Sequence, residues 1–133
     1  MSTISGRTYA IIPKTQNPDG HPVGCDTNAP DFLKPIVSNG EIQNFQVSQE
    51  GDVYRLTVAN LEVGSSGGDV VAGPVSFPVR WYIVPANGTI DNGYGIFAND
   101  GSGGWTVDST QEGNPVRLTT NPITFDFIPV LEQ

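Results

Sequence analysis

Phe45-Gln46-Val47-Ser48-Gln49-Glu50-Gly51-Asp52-Val53-Tyr54-Arg55-Leu56-Thr57-Val58 carries the reading that decides the fold. Apolar and polar residues alternate in Phe45-Gln46-Val47 and in Tyr54-Arg55-Leu56-Thr57-Val58, which is the strand period of two. Gly51-Asp52 between them tolerates the backbone geometry of a tight reversal. The stretch therefore predicts a β-hairpin. The same period returns in Tyr9-Ala10-Ile11, Trp81-Tyr82-Ile83-Val84, Tyr94-Gly95-Ile96-Phe97, Trp105-Thr106-Val107 and Phe125-Asp126-Phe127-Ile128. A second hairpin is predicted between Trp81-Tyr82-Ile83 and Tyr94-Gly95-Ile96, across a loop holding Asn87-Gly88 and Asn92-Gly93. Sixteen Gly and 11 Pro are spread along the 133 residues, which leaves no room for a long helix.

These strands repeat. A strand opening on an aromatic recurs at Tyr9, Tyr54 and Tyr94, with spacings of 45 and 40 residues. A second aromatic strand recurs at Phe45, Trp81 and Phe125, with spacings of 36 and 44. Three copies of about 40 residues, each ending in an aromatic strand, predict an all-β domain of β-trefoil type. In that fold a barrel is capped by hairpins and most sheet edges are hidden. An immunoglobulin-like sandwich is the alternative. A length of 133 residues suits a single domain spanning 1–133, large enough to bury a core unaided.

Acidic residues outnumber basic ones, 14 to 6, for a net charge of −8. Such a surface repels phosphate backbones and anionic membranes, so neither nucleic acid nor membrane is an expected partner. Cys25 is the only cysteine, which excludes an intrachain disulfide. The start of the sequence has neither the basic nor the apolar segment of a secretory signal, and the expected location is the cytoplasm. On that reading Asn87-Gly88-Thr89 is a turn rather than a glycosylation site.

Catalytic chemistry finds little material. His21 and Cys25 lie four residues apart, but Pro22 and Gly24 fall between them and no regular element fixes their geometry. No cluster of zinc ligands is visible. Asn99-Asp100-Gly101-Ser102-Gly103-Gly104 lacks the alternating carboxylates and closing Glu of a calcium loop, and the Lys of a phosphate loop. No enzyme activity, metal or cofactor is expected. What remains is loops on a rigid scaffold, where binding concentrates. The longest irregular stretch, 14–39, holds Pro18, Pro22, Pro30 and Pro35, which restrict its conformations.

Several segments resemble a known group. Gly6-Arg7-Thr8-Tyr9-Ala10-Ile11 and Phe125-Asp126-Phe127-Ile128-Pro129-Val130 are similar to the first and last strands of fungal β-trefoil protease inhibitors. Trp81-Tyr82-Ile83-Val84-Pro85 and the block from Asn92 to Trp105 resemble the second half of the mushroom serine protease inhibitors, the Lentinus-inhibitor family. The resemblance implies a monomeric defence or regulatory protein whose partner is a chymotrypsin-, trypsin- or subtilisin-like serine protease. It also implies an inhibitory loop between the second and third strands, at about Cys25 to Lys34, with candidate residues Asp26, Thr27, Asn28, Ala29, Phe32, Leu33 and Lys34. The loop has no arginine, and Pro35 follows its one lysine, an arrangement that fits a trypsin cleft badly. Phe32 or Leu33 would suit a chymotrypsin-like pocket, and Asn28 sits near the middle.

Two rival functions belong to the same fold. Ricin-type lectins carry Gln-x-Trp in each repeat, whereas here the corresponding places read Gln43-Asn44-Phe45, Val79-Arg80-Trp81 and Ile123-Thr124-Phe125. Mycocypin-like inhibitors of cysteine proteases use other loops, corresponding to Lys14 to Pro22 and Val37 to Glu41.

Overall fold

The computed structural model describes residues 7–14, 22–30, 32–38, 43–86, 93–107 and 113–130. Twelve strands lie among them: β1 (Thr8–Lys14), β2 (Val23–Cys25), β3 (Lys34–Ser38), β4 (Asn44–Glu50), β5 (Val53–Val58), β6 (Leu61–Ser66), β7 (Asp69–Gly73), β8 (Trp81–Pro85), β9 (Tyr94–Ala98), β10 (Gly104–Val107), β11 (Val116–Thr119) and β12 (Thr124–Pro129). The hairpin predicted over 45–58 is β4–β5, paired from Phe45↔Val58 to Glu50↔Val53. Its turn uses Gly51 at φ 68°, a conformation that costs a residue with a side chain. The Trp81 and Tyr94 strands pair as β8–β9, while their connection at 87–92 lies outside the described residues, as does His21.

Six strands close a ring. β1 pairs with β12 and β4, β4 with β5, β5 with β8, β8 with β9, and β9 with β12, all antiparallel. The other six form the hairpins β2–β3, β6–β7 and β10–β11. These join edge to edge through β3–β7, β7–β11 and a bridge from Val37 to Pro115. A six-stranded barrel capped by a closed triangle of hairpins is a β-trefoil, and the closure leaves the barrel no free edge.

The aromatic spacing marks its three repeats. Tyr9, Tyr54 and Tyr94 lie on the first strand of each four-strand unit, and Phe45, Trp81 and Phe125 on the fourth. Within each unit the two stand directly opposite one another: Tyr9↔Phe45, Tyr54↔Trp81 and Tyr94↔Phe125. Cross-strand aromatic pairs are a unit of sheet stabilisation. All six side chains are buried. Trp105 of β10 breaks the symmetry, because β2 and β6 carry no aromatic at all. Its indole is fully buried and meets Trp81, Phe125 and Phe45 edge to face at 5.5, 5.9 and 6.4 Å between ring centres. One large side chain thus fills the centre of the barrel and touches the fourth-strand aromatic of every repeat.

Candidate functional site

The β2–β3 hairpin carries the candidate loop. Its three register pairs end at Cys25↔Ile36, and the Asp26 N–H extends the ladder by donating to the Pro35 carbonyl at 2.9 Å. The other edge of β2 is satisfied by a side chain. The Cys25 N–H donates to Gln43 Oε1 at 2.9 Å, and Gln43 Nε2 donates back to the Cys25 carbonyl at 3.0 Å. The Gln43 amide thereby replaces a neighbouring strand. Cys25 itself is wholly buried. Burial pushes its thiol pKa up, Lys34 counters part of that, and Asp26 adds to it. A thiol held protonated inside the core does not act as a nucleophile.

Beyond Asp26 the chain turns at once. The Ala29 N–H donates to the Asp26 carbonyl at 3.1 Å, and the Asn28 N–H to Asp26 Oδ1 at 3.2 Å. Such Asx turns use the short acidic side chain to imitate a backbone turn. From the far limb Lys34 Nζ donates to the Ala29 carbonyl at 2.6 Å and ties the two sides together. Asp26, Ala29 and Lys34 therefore hold the loop's shape, while Thr27, Asn28 and Pro30 are exposed. Asp31 lies outside the described residues. Phe32 is 66% exposed, the most open large apolar side chain among the described residues. Leu33 turns back onto Gly73 of β7, where an added Cβ would stand 2.6 Å from Leu33 Cδ2. Only glycine leaves room for that seat.

The other places singled out in the sequence fare differently. Most of 14–22 and 37–41 lies outside the described residues. Asn99 to Gly104 forms the β9–β10 turn. There the Asp100 carboxylate accepts from the Ser102 N–H at 2.9 Å and its hydroxyl at 2.6 Å, bonds that hold its pKa below the usual carboxylate range. No group of three His, Cys, Asp or Glu is placed to hold a metal among the described residues. Gln43, the one glutamine at a lectin-motif position, is committed to Cys25.

Two features were not legible in the sequence. The first is an ion cluster beneath the β7–β8 loop. Arg80 Nε meets Glu50 at 2.9 Å, Arg80 Nη1 meets Glu62 at 3.3 Å, and Arg55 meets Glu50 at 2.8 Å. Arg80 Nη1 also donates to the Phe77 and Val79 carbonyls at 2.7 and 3.0 Å, and the Phe77 N–H donates to Glu62 Oε2 at 2.8 Å. The hydrogen bond from Arg80 holds the Glu50 carboxyl below its usual range; partial desolvation opposes this, and the charge of Arg55 assists. Arg80 is half-buried, and nothing in the sequence marks it out from the other basic residues, six in all. The second is a groove of about 300 Å³ on the barrel wall, lined by the uncharged Thr8, Asn44, Gln46, Thr57, Asn60 and Val130 among others. It ends at the two-residue turn Ala59-Asn60, both at positive φ, which joins β5 to β6.

No family model matches this sequence, and no curated protein matches it. Among solved structures, a proteinase inhibitor from Coprinopsis cinerea matches at a TM-score of 0.75 and 19% identity, over 96% of this chain and all of that one. At that identity the likeness is one of fold, and the fold shared is the β-trefoil described above.

Proposed function

We propose that this protein is a protease inhibitor that blocks serine proteases by presenting the β2–β3 loop, Asp26 to Lys34, to the active-site cleft. The observation that carries the proposal is a loop exposed at its tip and fixed from within by the Lys34–Ala29 and Asp26 hydrogen bonds. A loop already ordered loses little entropy on docking, which favours tight association. Sharing a fold with a proteinase inhibitor supports the same reading. No catalysis by this chain is required. The loop enters the cleft as a substrate segment would and pairs main chain with it. Phe32 is the residue offered to the primary pocket, which favours chymotrypsin-like enzymes. Lys34 acts as a brace, with its amine turned into the loop. The inhibitor works as a cytosolic monomer.

The test is a titration against trypsin, chymotrypsin, subtilisin and papain. Tight loss of chymotrypsin activity, abolished when residues 26–34 are replaced by a Gly-Ser loop, is the expected result. Inhibition of papain alone would overturn the serine protease assignment, and inhibition of none would overturn the function. A second reading, binding of a neutral saccharide, is favoured by the uncharged hydroxyl and amide lining of the 300 Å³ groove. A glycan array tests it directly.

A further inference from the structure

The β3–β7 pairing has a geometric result for the surface. Lys34↔Ala72 and Pro35↔Val71 set the start of β3 beside the end of β7, so the outgoing limb of the β2–β3 loop emerges next to the incoming limb of the β7–β8 loop. Both loops border Gly73, the last residue of β7. From the position a Cβ would occupy on Gly73, Leu33 Cδ2 is 2.6 Å away, and the Phe32 carbonyl oxygen and Val75 Cγ2 are both 3.8 Å away. Phe32 and Val75 are 66% and 39% exposed, and Pro74 and Ser76 are exposed beside Val75. The backbone of Phe32 and the side chain of Val75, from two different loops, thus flank the same glycine, on which Leu33 is seated.

The second loop is as firmly held as the first. Pro74 and Pro78 restrict its backbone. Its Phe77 N–H is bound by Glu62, and its Phe77 and Val79 carbonyls by Arg80, which Glu50 holds in turn. The Phe77 ring lies against Gly64 of β6, on the inner side of the loop. Pro74, Val75 and Ser76, which directly follow Gly73, are exposed, as is Pro78 further along the loop.

We infer that the protease footprint is composite: Pro74-Val75-Ser76 forms a second contact strip, with Val75 packing on the apolar rim of the cleft that receives Phe32. This rests on the inhibitory role proposed for the β2–β3 loop. Interfaces are commonly organised around a central anchor flanked by contacts that exclude water from it. Val75 stands in that flanking position, and its loss acts mainly on the dissociation rate.

The experiment compares V75D, F32D and V84D with the wild type against chymotrypsin, measuring inhibition and association and dissociation rates. Val84 is 42% exposed on β8 of the barrel wall and serves as the control. V75D is expected to weaken inhibition at least tenfold through faster dissociation. Its thermal midpoint should stay at the wild-type value, and V84D should leave inhibition unchanged. A photo-crosslinking residue at position 75 should label the protease, and one at position 84 should not. Wild-type inhibition by V75D with no crosslink from position 75, while F32D loses inhibition, would overturn the composite footprint and leave the single-loop reading standing. Wild-type inhibition by F32D and by the 26–34 replacement would overturn both.

Discussion

Gln43 gives a measurable example of what one side chain does for a loop. Its amide satisfies both backbone groups of buried Cys25, one residue before the candidate loop begins. Gln43→Ala strands a donor and an acceptor, at a cost of about 1–3 kcal/mol, measurable by urea denaturation. Gln43→Glu supplies only acceptors and should restore part of that at most. Trp105 is the larger stake. Trp105→Ala should cost about 3–5 kcal/mol, because the cavity opens among three other aromatic rings. Its Nε1–H has no hydrogen-bond acceptor among the described residues. Trp105→Phe removes that unmet donor and keeps a ring, so it should be clearly milder than alanine in the same denaturation assay. Cys25 offers a probe of the folded state: its buried, protonated thiol should react with a thiol reagent only at the rate of unfolding.

Among the elements, the β7–β8 loop shows how charge can substitute for regular structure. Its backbone groups bond to Arg80 and Glu62. Arg80→Ala leaves Glu62, with its side chain only 12% exposed, without that charge partner, and should cost about 2 kcal/mol. Glu50 supplies a pH signature. Its pKa is lower in the folded protein than in the unfolded chain, so its contribution is complete above the ordinary carboxylate range, near 4, and is lost as pH falls through that range and below. The thermal midpoints of wild type and Glu50→Gln, distinct at pH 7, should converge as pH is lowered toward 3. None of this could be read from the sequence, since Glu50, Glu62 and Arg80 are 12 to 30 residues apart and only the closed barrel brings them together. The barrel strands β4, β5, β8 and β12 were legible because each buries mainly one face, which writes the period of two into residues such as Phe45, Val47, Tyr54 and Leu56. Of the cap strands β10 was legible, at Trp105-Thr106-Val107, and most of the others were not. β2, β6 and β7 are short or glycine-bearing, and β2 and most of β7 are buried on both faces, so Val23-Gly24-Cys25 and Val70-Val71-Ala72-Gly73 show no alternation.

At the scale of the molecule, the threefold repeat gathers tyrosines as well as strands. Burial raises the pKa of Tyr54, and the neighbouring Tyr9 and Tyr94 add to the effect. A folded-state pKa above the unfolded one gives stability that is intact below about 10 and is lost as pH rises through and beyond that value. Thermal midpoints recorded from pH 9 to 11.5 should fall steeply, and Tyr54→Phe should flatten the decline. The trefoil was predictable from six aromatics because its symmetry requires an equivalent residue in every repeat. Which side chains the candidate loop presents was not, because loops are the parts that the symmetry leaves unconstrained, and Phe32 and Leu33 read alike until one is found exposed and the other seated on Gly73.

The ring of strands has one more consequence, for a molecule whose loop has been cut. A nick between Asn28 and Leu33 leaves the first fragment carrying β1 and β2. Yet β1 lies between β12 and β4, with six register pairs to β12 alone, and β2 keeps its three pairs with β3. The new ends stay side by side, and the scission severs one covalent link without dismantling any sheet. Such a molecule behaves as a self-associated heterodimer of its own halves, and resealing the peptide bond becomes a local reaction instead of an encounter.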